Sequence, residues 1–238
     1  KFVAFTGGYH GDTFGAMSVG KTTGFYKPFE EILYNNSFIP FPEDWWGNNQ
    51  LEESERLAIN VAYRIAEKEK DQIAAVILEP LIQGAGGMKI CRKEFLDKLV
   101  KMFRDFGILV IFDEVMTGFG RTGKMFATDH LQSAPDIICL AKSLTGGFIP
   151  LAATVFSEEI HKVFVDNNFN KTFLHGHSFS ANPIACAAAI SSLDLFIKDR
   201  TFIKIEEISK IHNECLDKIS KIQNISKIRK LGTIAAFD

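Results

Sequence analysis

The amino-acid sequence predicts an α/β fold in which a mostly parallel central sheet carries helices on both faces. Short apolar runs rich in β-branched residues alternate along the chain with longer segments of helical period. Ile108–Phe112 is apolar at every position, which is typical of a strand buried on both sides. Strands that alternate with helices favour parallel pairing, because each helix returns the chain to the same end of the sheet.

The first half of the chain contains two further predicted strands and two predicted helices. Phe2–Phe5 and Ile73–Leu78 are short apolar runs of strand composition. Apolar side chains recur at helical spacing in Leu51–Lys70 and in Lys93–Phe106. Gly107 follows the second helix, at the position where a glycine is typical of a helix end.

The second half continues the alternation of strands and helices. Ile137–Leu140 and Ala152–Val155 are short apolar runs that predict strands. Pro183–Ile197 predicts a long helix with proline in its first turn, and Ile203–Ile222 predicts an amphipathic helix. Gly232–Asp238 has strand composition, and we expect it to lack a partner strand. Because both ends of the sequence resemble interrupted strands, we expect this chain to be part of a longer protein.

The composition disfavours several classes of protein. The 238 residues are 46% hydrophobic and 24% charged, with 27 basic and 29 acidic side chains and a net charge of −2. The sequence shows no basic stripe for nucleic acid and no apolar run long enough to span a bilayer. It shows no secretory signal, and its four cysteines have no metal or redox spacing. We therefore expect a cytoplasmic protein with no metal site and no nucleic-acid or membrane partner.

Charged residues follow three of the predicted strands in the middle of the chain. Glu79 and Asp113 come directly after two of them, and Lys142 comes two residues after the third. Because the carboxyl ends of parallel strands meet at one edge of a sheet, we expect these side chains to converge. Glu79 alone and Lys142 alone each have a commoner structural or surface explanation, and Asp113 alone favours a site and a structural role about equally. Only the combination therefore indicates a site.

A lysine and a carboxylate in one cleft are the groups that pyridoxal phosphate (PLP) requires. The lysine bonds to the cofactor aldehyde, and the carboxylate keeps the pyridine nitrogen protonated. Strand alternation predicts that Asp113 and Val115 point to the same side, so that Val115 packs on a ring face. Glu114 is predicted to point to the opposite side and to have a structural role.

Four segments carry a resemblance to a known family. They are Tyr9–Thr13 (YHGDT), Asp113–Gly123 (DEVMTGFGRTG), Pro135–Gly147 (PDIICLAKSLTGG) and His175–Pro183 (HGHSFSANP). In this order they resemble the class III aminotransferases of PLP fold type I, and the resemblance extends to about Phe196. It implies a PLP-binding large domain in residues 1–200 and the start of a small domain in residues 201–238.

The resemblance also implies a homodimer, small-molecule substrates and roles for particular residues. These roles are Lys142 as the catalytic lysine that holds PLP and contacts the substrate, Asp113 at the pyridine nitrogen, Val115 on one ring face, Tyr9 on the other ring face and at the substrate, Glu79 near the phenolic oxygen, His177 and Ser178 at the phosphate of the neighbouring subunit, and Gly176 at the substrate. His10 shows no constellation in the sequence, and we expect it to be structural or on the surface.

Within the family, three segments resemble the branch that acts in biotin synthesis: Gly11–Val19, Glu79–Met88 and Leu144–Leu151. This implies amination of 7-oxo-8-aminononanoate, with S-adenosylmethionine or, in some members, lysine as the amino donor. Met116 stands where members acting on ornithine, acetylornithine or γ-aminobutyrate carry Gln. Two alternatives stay open, another class III ω-amino-acid aminotransferase and a non-catalytic protein of the same fold. A Rossmann dehydrogenase is disfavoured, because no GxGxxG motif comes directly after a predicted strand.

Overall fold

The structure, a computed structural model, describes residues 1–21 and 24–238. Its strands are Phe2–Phe5 (β1), Ser37–Ile39 (β2), Ala75–Leu78 (β3), Ile82–Gln83 (β4), Lys89–Ile90 (β5), Leu109–Asp113 (β6), Ile137–Leu140 (β7), Ala153–Phe156 (β8), Arg229–Leu231 (β9) and Ile234–Ala236 (β10). Its α-helices are Phe14–Val19 (α1), Leu51–Glu69 (α2), Lys93–Asp105 (α3), Glu158–Phe164 (α4), Pro183–Lys198 (α5) and Thr201–Ile219 (α6).

Six strands form one mostly parallel sheet, as the sequence predicts. The strand order is β2-β1-β3-β6-β7-β8, and only the pair β7 and β8 is antiparallel. Leu78 of β3 lies opposite Phe112 of β6, and Asp113 lies opposite Cys139 of β7. The register therefore brings the carboxyl ends of β3, β6 and β7 side by side, where Glu79, Asp113 and Lys142 follow.

Helices α2 and α3 pack against each other and against this sheet, α3 on β6 and α2 on β2. Ala58, Ala62 and Ala66 recur every fourth residue of α2 and are fully buried, so the helix backbone can approach its neighbours closely. Phe95 and Phe103 of α3 belong to the same core and are buried with strand residues such as those of β3 and β6. This core holds the strands in place and thereby fixes where their carboxyl ends lie.

Each predicted strand and helix is present, with ends displaced by a few residues. The expectation that Gly232–Asp238 lacks a partner is wrong, because β10 pairs antiparallel with β9 in a tight hairpin. Phe2–Phe5 is not an open edge either, since it pairs with β2 on one side and β3 on the other. Two helices, Phe14–Val19 and Glu158–Phe164, were not predicted from the sequence.

The hairpin of β9 and β10 packs against loops at the carboxyl edge of the sheet. Thr233 donates from its backbone nitrogen to Arg121 O at 2.9 Å, and Trp46 N donates to Ile228 O at 2.8 Å. The domain boundary near residue 200 stays a prediction. Within the described part of the chain, no helix combines the length and apolar character that crossing a membrane requires.

Candidate active site

Asp113 is the last residue of β6 and lies almost completely buried. Its Oδ1 accepts a hydrogen bond from Val115 N at 3.1 Å. Its Oδ2 lies 2.8 Å from His10 Nδ1, and the His10 side chain is only 3% exposed. An ionised carboxylate can only accept, so His10 donates from Nδ1. Both oxygens are thus partnered, which fixes the orientation of the carboxylate at the sheet edge.

Of the two roles expected for His10, structural or on the surface, the surface role is wrong, because its side chain is buried and pairs with Asp113. His10 and Asp113 are 103 residues apart in the sequence, so no local pattern connects them. The pairing arises because the loop that follows β1 and the end of β6 lie at the same edge of the sheet. The available signal was the position of His10 beside Tyr9, within a segment already assigned to the site.

Glu79 follows β3 and is held by two backbone amides. Gly84 N donates to its Oε1 and Tyr9 N donates to its Oε2, each at 3.0 Å. Burial raises the pKa of Glu79 above its ordinary value, while His10 and the two amides act in the opposite direction. Glu79 therefore lies with His10 and Asp113 in one buried cluster, and it also fixes the backbone of Tyr9.

Glu114 stabilises the turn that follows Asp113. Its fully buried carboxylate accepts from Ala127 N at 2.8 Å and from Thr128 N at 2.7 Å. Thr117 Oγ1 also donates to it at 2.7 Å. These contacts agree with the structural role predicted for Glu114.

Val115 does not continue the alternation of β6 that the sequence predicts, because β6 ends at Asp113 and Val115 belongs to the following turn. Val115 nevertheless stays next to Asp113 through its backbone amide. Whether its side chain packs on a cofactor ring stays a prediction.

Tyr9 presents its ring near the surface of the same loop. Its hydroxyl donates to Asp12 Oδ2 at 2.8 Å. The hydrogen bond to Asp12 and partial burial raise the pKa of Tyr9, so the phenol stays protonated over a wide pH range.

Lys142 begins a short 3₁₀ helix, Lys142–Thr145, directly after β7 and Ala141. Its φ of +48° lies in the left-handed region, which non-glycine residues rarely adopt. Such backbone strain persists only where the surroundings hold it, and it is often found at functional sites. Here Leu144 is buried, and Ser192 of α5 donates to Ser143 O at 3.3 Å. The Lys142 side chain itself is exposed.

An open cleft of about 960 Å³ lies beside Lys142. Apolar residues such as Ile149, Pro150 and Leu151 line one part of it, and His177 lines another. Asp113 and Glu79 are not among the lining residues that the structure describes. Lys142 therefore lines this cleft, while the two carboxylates follow neighbouring strands at the same edge of the sheet.

Gly176, His177 and Ser178 lie on an exposed loop before α5. Phe179 N donates to His177 Nδ1 at 3.1 Å, and His177 N donates to Ser180 Oγ at 3.1 Å. No contact of this loop with Asp113 is found among the described residues. Its side chains are accessible to another molecule.

A family model described as aminotransferase class-III matches residues 1–238. This match covers the whole chain.

The chain belongs to the class-III aminotransferase family.

Individual proteins agree with this membership. A protein of Synechococcus elongatus, named adenosylmethionine-8-amino-7-oxononanoate aminotransferase, is 47% identical over 238 residues, which is 100% of this chain and 55% of that protein. A crystal structure with the same protein name from Methanocaldococcus jannaschii superimposes with a TM-score of 0.87 at 33% identity, covering 100% of this chain and 53% of that one. An ω-transaminase structure from Thermomicrobium roseum superimposes with a TM-score of 0.91 at 28% identity, covering 100% of this chain and 53% of that one. The class-III chain thus spans about half the length of these relatives.

Proposed function

We propose that the protein containing this chain is a PLP-dependent aminotransferase in which Lys142 holds the cofactor. The observation that carries the proposal is the placement of Lys142 and a buried, fully partnered Asp113 at the ends of two adjacent parallel strands. A primary amine and a carboxylate in that arrangement fit the aldehyde and the pyridine nitrogen of PLP. A non-catalytic protein of this fold is disfavoured, because it would have no need for both groups.

PLP, when bound, supplies a conjugated ring that withdraws electrons from the carbon bearing the substrate nitrogen. Asp113 would hold the ring nitrogen of the cofactor in its protonated form, and His10 holds Asp113 in orientation. Lys142 Nζ would act as the general base and acid that takes the proton from the substrate α-carbon and returns it. Glu79 fixes the backbone of Tyr9, whose ring is proposed to stack on the cofactor.

The remaining contacts are proposed to come from a second copy of the chain. His177 and Ser178 are exposed here, and the proposal assigns them to the phosphate held by the neighbouring subunit of a homodimer. Gly176, beside them, is assigned to the substrate. We further propose that the protein works in the cytoplasm on small-molecule substrates.

For the substrate, we propose the keto acid of biotin synthesis, 7-oxo-8-aminononanoate, with S-adenosylmethionine as amino donor. The 47% identity to the protein of that name supports this choice, whereas the ω-transaminase structure is only 28% identical. The apolar lining near Ile149 and Leu151 suits the aliphatic chain of such a substrate. An ω-amino-acid aminotransferase is the second candidate, favoured by the TM-score of 0.91 to that ω-transaminase.

The test is an assay of the purified full-length protein with 7-oxo-8-aminononanoate and, in turn, S-adenosylmethionine, lysine and a set of ω-amino acids. We expect 7,8-diaminononanoate to form with S-adenosylmethionine and not with the ω-amino acids. If 7,8-diaminononanoate forms with lysine only, lysine is the amino donor and the proposed acceptor is unchanged. Transfer from ω-amino acids to pyruvate without formation of 7,8-diaminononanoate would favour the second candidate.

A further inference from the structure

The turn Gly84–Met88 contacts three parts of the candidate site at once. Gly84 N donates to Glu79 Oε1 at 3.0 Å. A Cβ atom added to Gly86 would lie 2.7 Å from Gly7 O, so the turn presses against the loop that carries Tyr9. On its other side, a Cβ atom added to Gly84 would lie 2.8 Å from Met116 Cε. A displacement of this turn would therefore move Glu79, the loop that carries Tyr9 and the loop that carries Met116.

The turn has a backbone conformation that needs support. Met88 has a φ of +52°, in the left-handed region that non-glycine residues rarely adopt. Met88 as a residue is 37% exposed, so burial does not hold this conformation. Within the turn, Gly87 N and Met88 N both donate to Gly84 O, at 3.2 and 3.1 Å. These bonds leave the carbonyl groups of Gly87 and Met88 to be bound from outside.

Arg229, the first residue of β9, binds both carbonyl groups. Its Nη2 donates to Gly87 O at 2.6 Å, and its Nε donates to Met88 O at 3.0 Å. Its Nη1 is anchored on the hairpin side by Lys227 O at 2.7 Å and by Asp238 Oδ1 at 2.9 Å. Only 8% of Arg229 is exposed. A planar guanidinium with fixed donors suits two neighbouring acceptors better than a single ammonium group does.

We propose that Arg229 is a positioning residue for the active site, one that acts through the turn Gly84–Met88 on Glu79 and Tyr9. The path runs from the guanidinium to the carbonyl groups of the turn, from Gly84 N to Glu79, and from Glu79 to Tyr9 N. The catalytic part of this inference rests on the proposed function. The structural part, that Arg229 holds the turn, does not depend on any activity.

The test compares Arg229→Met and Arg229→Lys with the wild type in the full-length protein. Hydrogen–deuterium exchange of the apoprotein measures the protection of peptides covering Gly84–Met88 and Tyr9. We expect Arg229→Met to speed exchange in both peptides and to lower kcat/KM by roughly 10- to 100-fold, since small displacements of catalytic groups are costly. Arg229→Lys, which keeps one donor group and the charge, is expected to recover part of both properties.

Two control variants separate positioning from a general loss of stability. Asp238→Asn weakens the ion pair of Arg229 but leaves both turn contacts, so exchange in the turn is expected to stay near the wild-type rate. Arg104→Met removes an arginine that donates to Ala134 O near the amino end of β7, away from the turn. It is expected to leave kcat/KM near the wild-type value.

The proposal is overturned if Arg229→Met leaves exchange in Gly84–Met88 unchanged, or if turnover per folded molecule stays at the wild-type level. If Arg229→Met does not fold, Arg229→Lys decides the question by the same two measurements. A wild-type protein that shows no transamination would instead remove the proposed function, while the exchange data would still report on the turn.

Discussion

The surroundings of Asp113 differ from those of Ser178 in almost every physical respect. Asp113 is buried, and each of its oxygens has a partner within the chain. Ser178 lies on an exposed loop flanked by apolar side chains, including Leu174 and Phe179, that are each 71% exposed. Further apolar residues are also exposed, since Phe148 and Ile197 are each more than 80% exposed.

This difference indicates that the two regions contribute to the site in different ways. In the region around Asp113, both carboxylate oxygens have partners that belong to the same chain. The region around Ser178 exposes apolar surface that is costly to leave in water, and such surface typically marks an interface. Under the proposed function, the first region governs the chemistry of the cofactor ring and the second governs what a second subunit contributes.

The largest expected effect comes from Lys142, which lies between the two regions. Lys142→Ala is expected to abolish transamination and covalent attachment of the cofactor, because no other amine occupies the end of β7. Borohydride reduction of the wild type followed by peptide mapping should find the cofactor on Lys142. Lys162→Ala, an exposed lysine of α4, serves as the control and should remain active. Cofactor found on another lysine would contradict the assignment.

Asp113→Asn tests whether the buried region acts through charge. The variant keeps the shape but removes the negative charge at the ring nitrogen. We expect a loss of about 3 kcal/mol of transition-state stabilisation, or about 100-fold in kcat. Steady-state kinetics and the absorbance of the bound cofactor measure this. Near-normal kcat would show that Asp113 is not the partner of the ring nitrogen.

His10 should have a smaller effect, since it acts on the cofactor only through Asp113. His10→Ala removes a hydrogen bond to a carboxylate, and we expect a loss of about 1.5 kcal/mol, or about tenfold in kcat. His10→Asn retains a donor near the position of Nδ1 and should lose less. Equal losses in the two variants, measured by the same kinetics, would argue that the ring fills space and does not orient Asp113.

The exposed region is tested by complementation between Lys142→Ala and Ser178→Ala, each of which is expected to lose activity under the proposed function. When Lys142→Ala and Ser178→Ala subunits are mixed, one site of each mixed dimer carries both lesions and the other carries none. With full exchange, we expect activity to recover to about a quarter of the wild-type level. Exchange is verified by mass spectrometry of tagged subunits. Recovery that does not rise above the two single variants, despite proven exchange, would place Ser178 in its own subunit's site.

Much of the fold was predictable because its signals are local. The apolar run before Asp113 and the helical spacing in α2 each depend on residues within a few positions of one another. The meeting of Glu79, Asp113 and Lys142 at one edge also followed from the sequence, since parallel strands place their carboxyl ends together. The order of the motifs further predicted the class-III family, which the family match confirms.

Only the tertiary structure decided the contacts between distant segments. The pairing of His10 with Asp113 spans 103 residues, and the contact of Arg229 with Met88 spans 141. Such contacts depend on how whole layers pack and on the register between strands, and no periodicity in either segment encodes them. The hairpin of β9 and β10 had strand composition in the sequence, but its partner and its support of the turn Gly84–Met88 arise from packing. Sequence by itself therefore determined which elements form and which chemical groups they carry, while packing determined which of those groups touch.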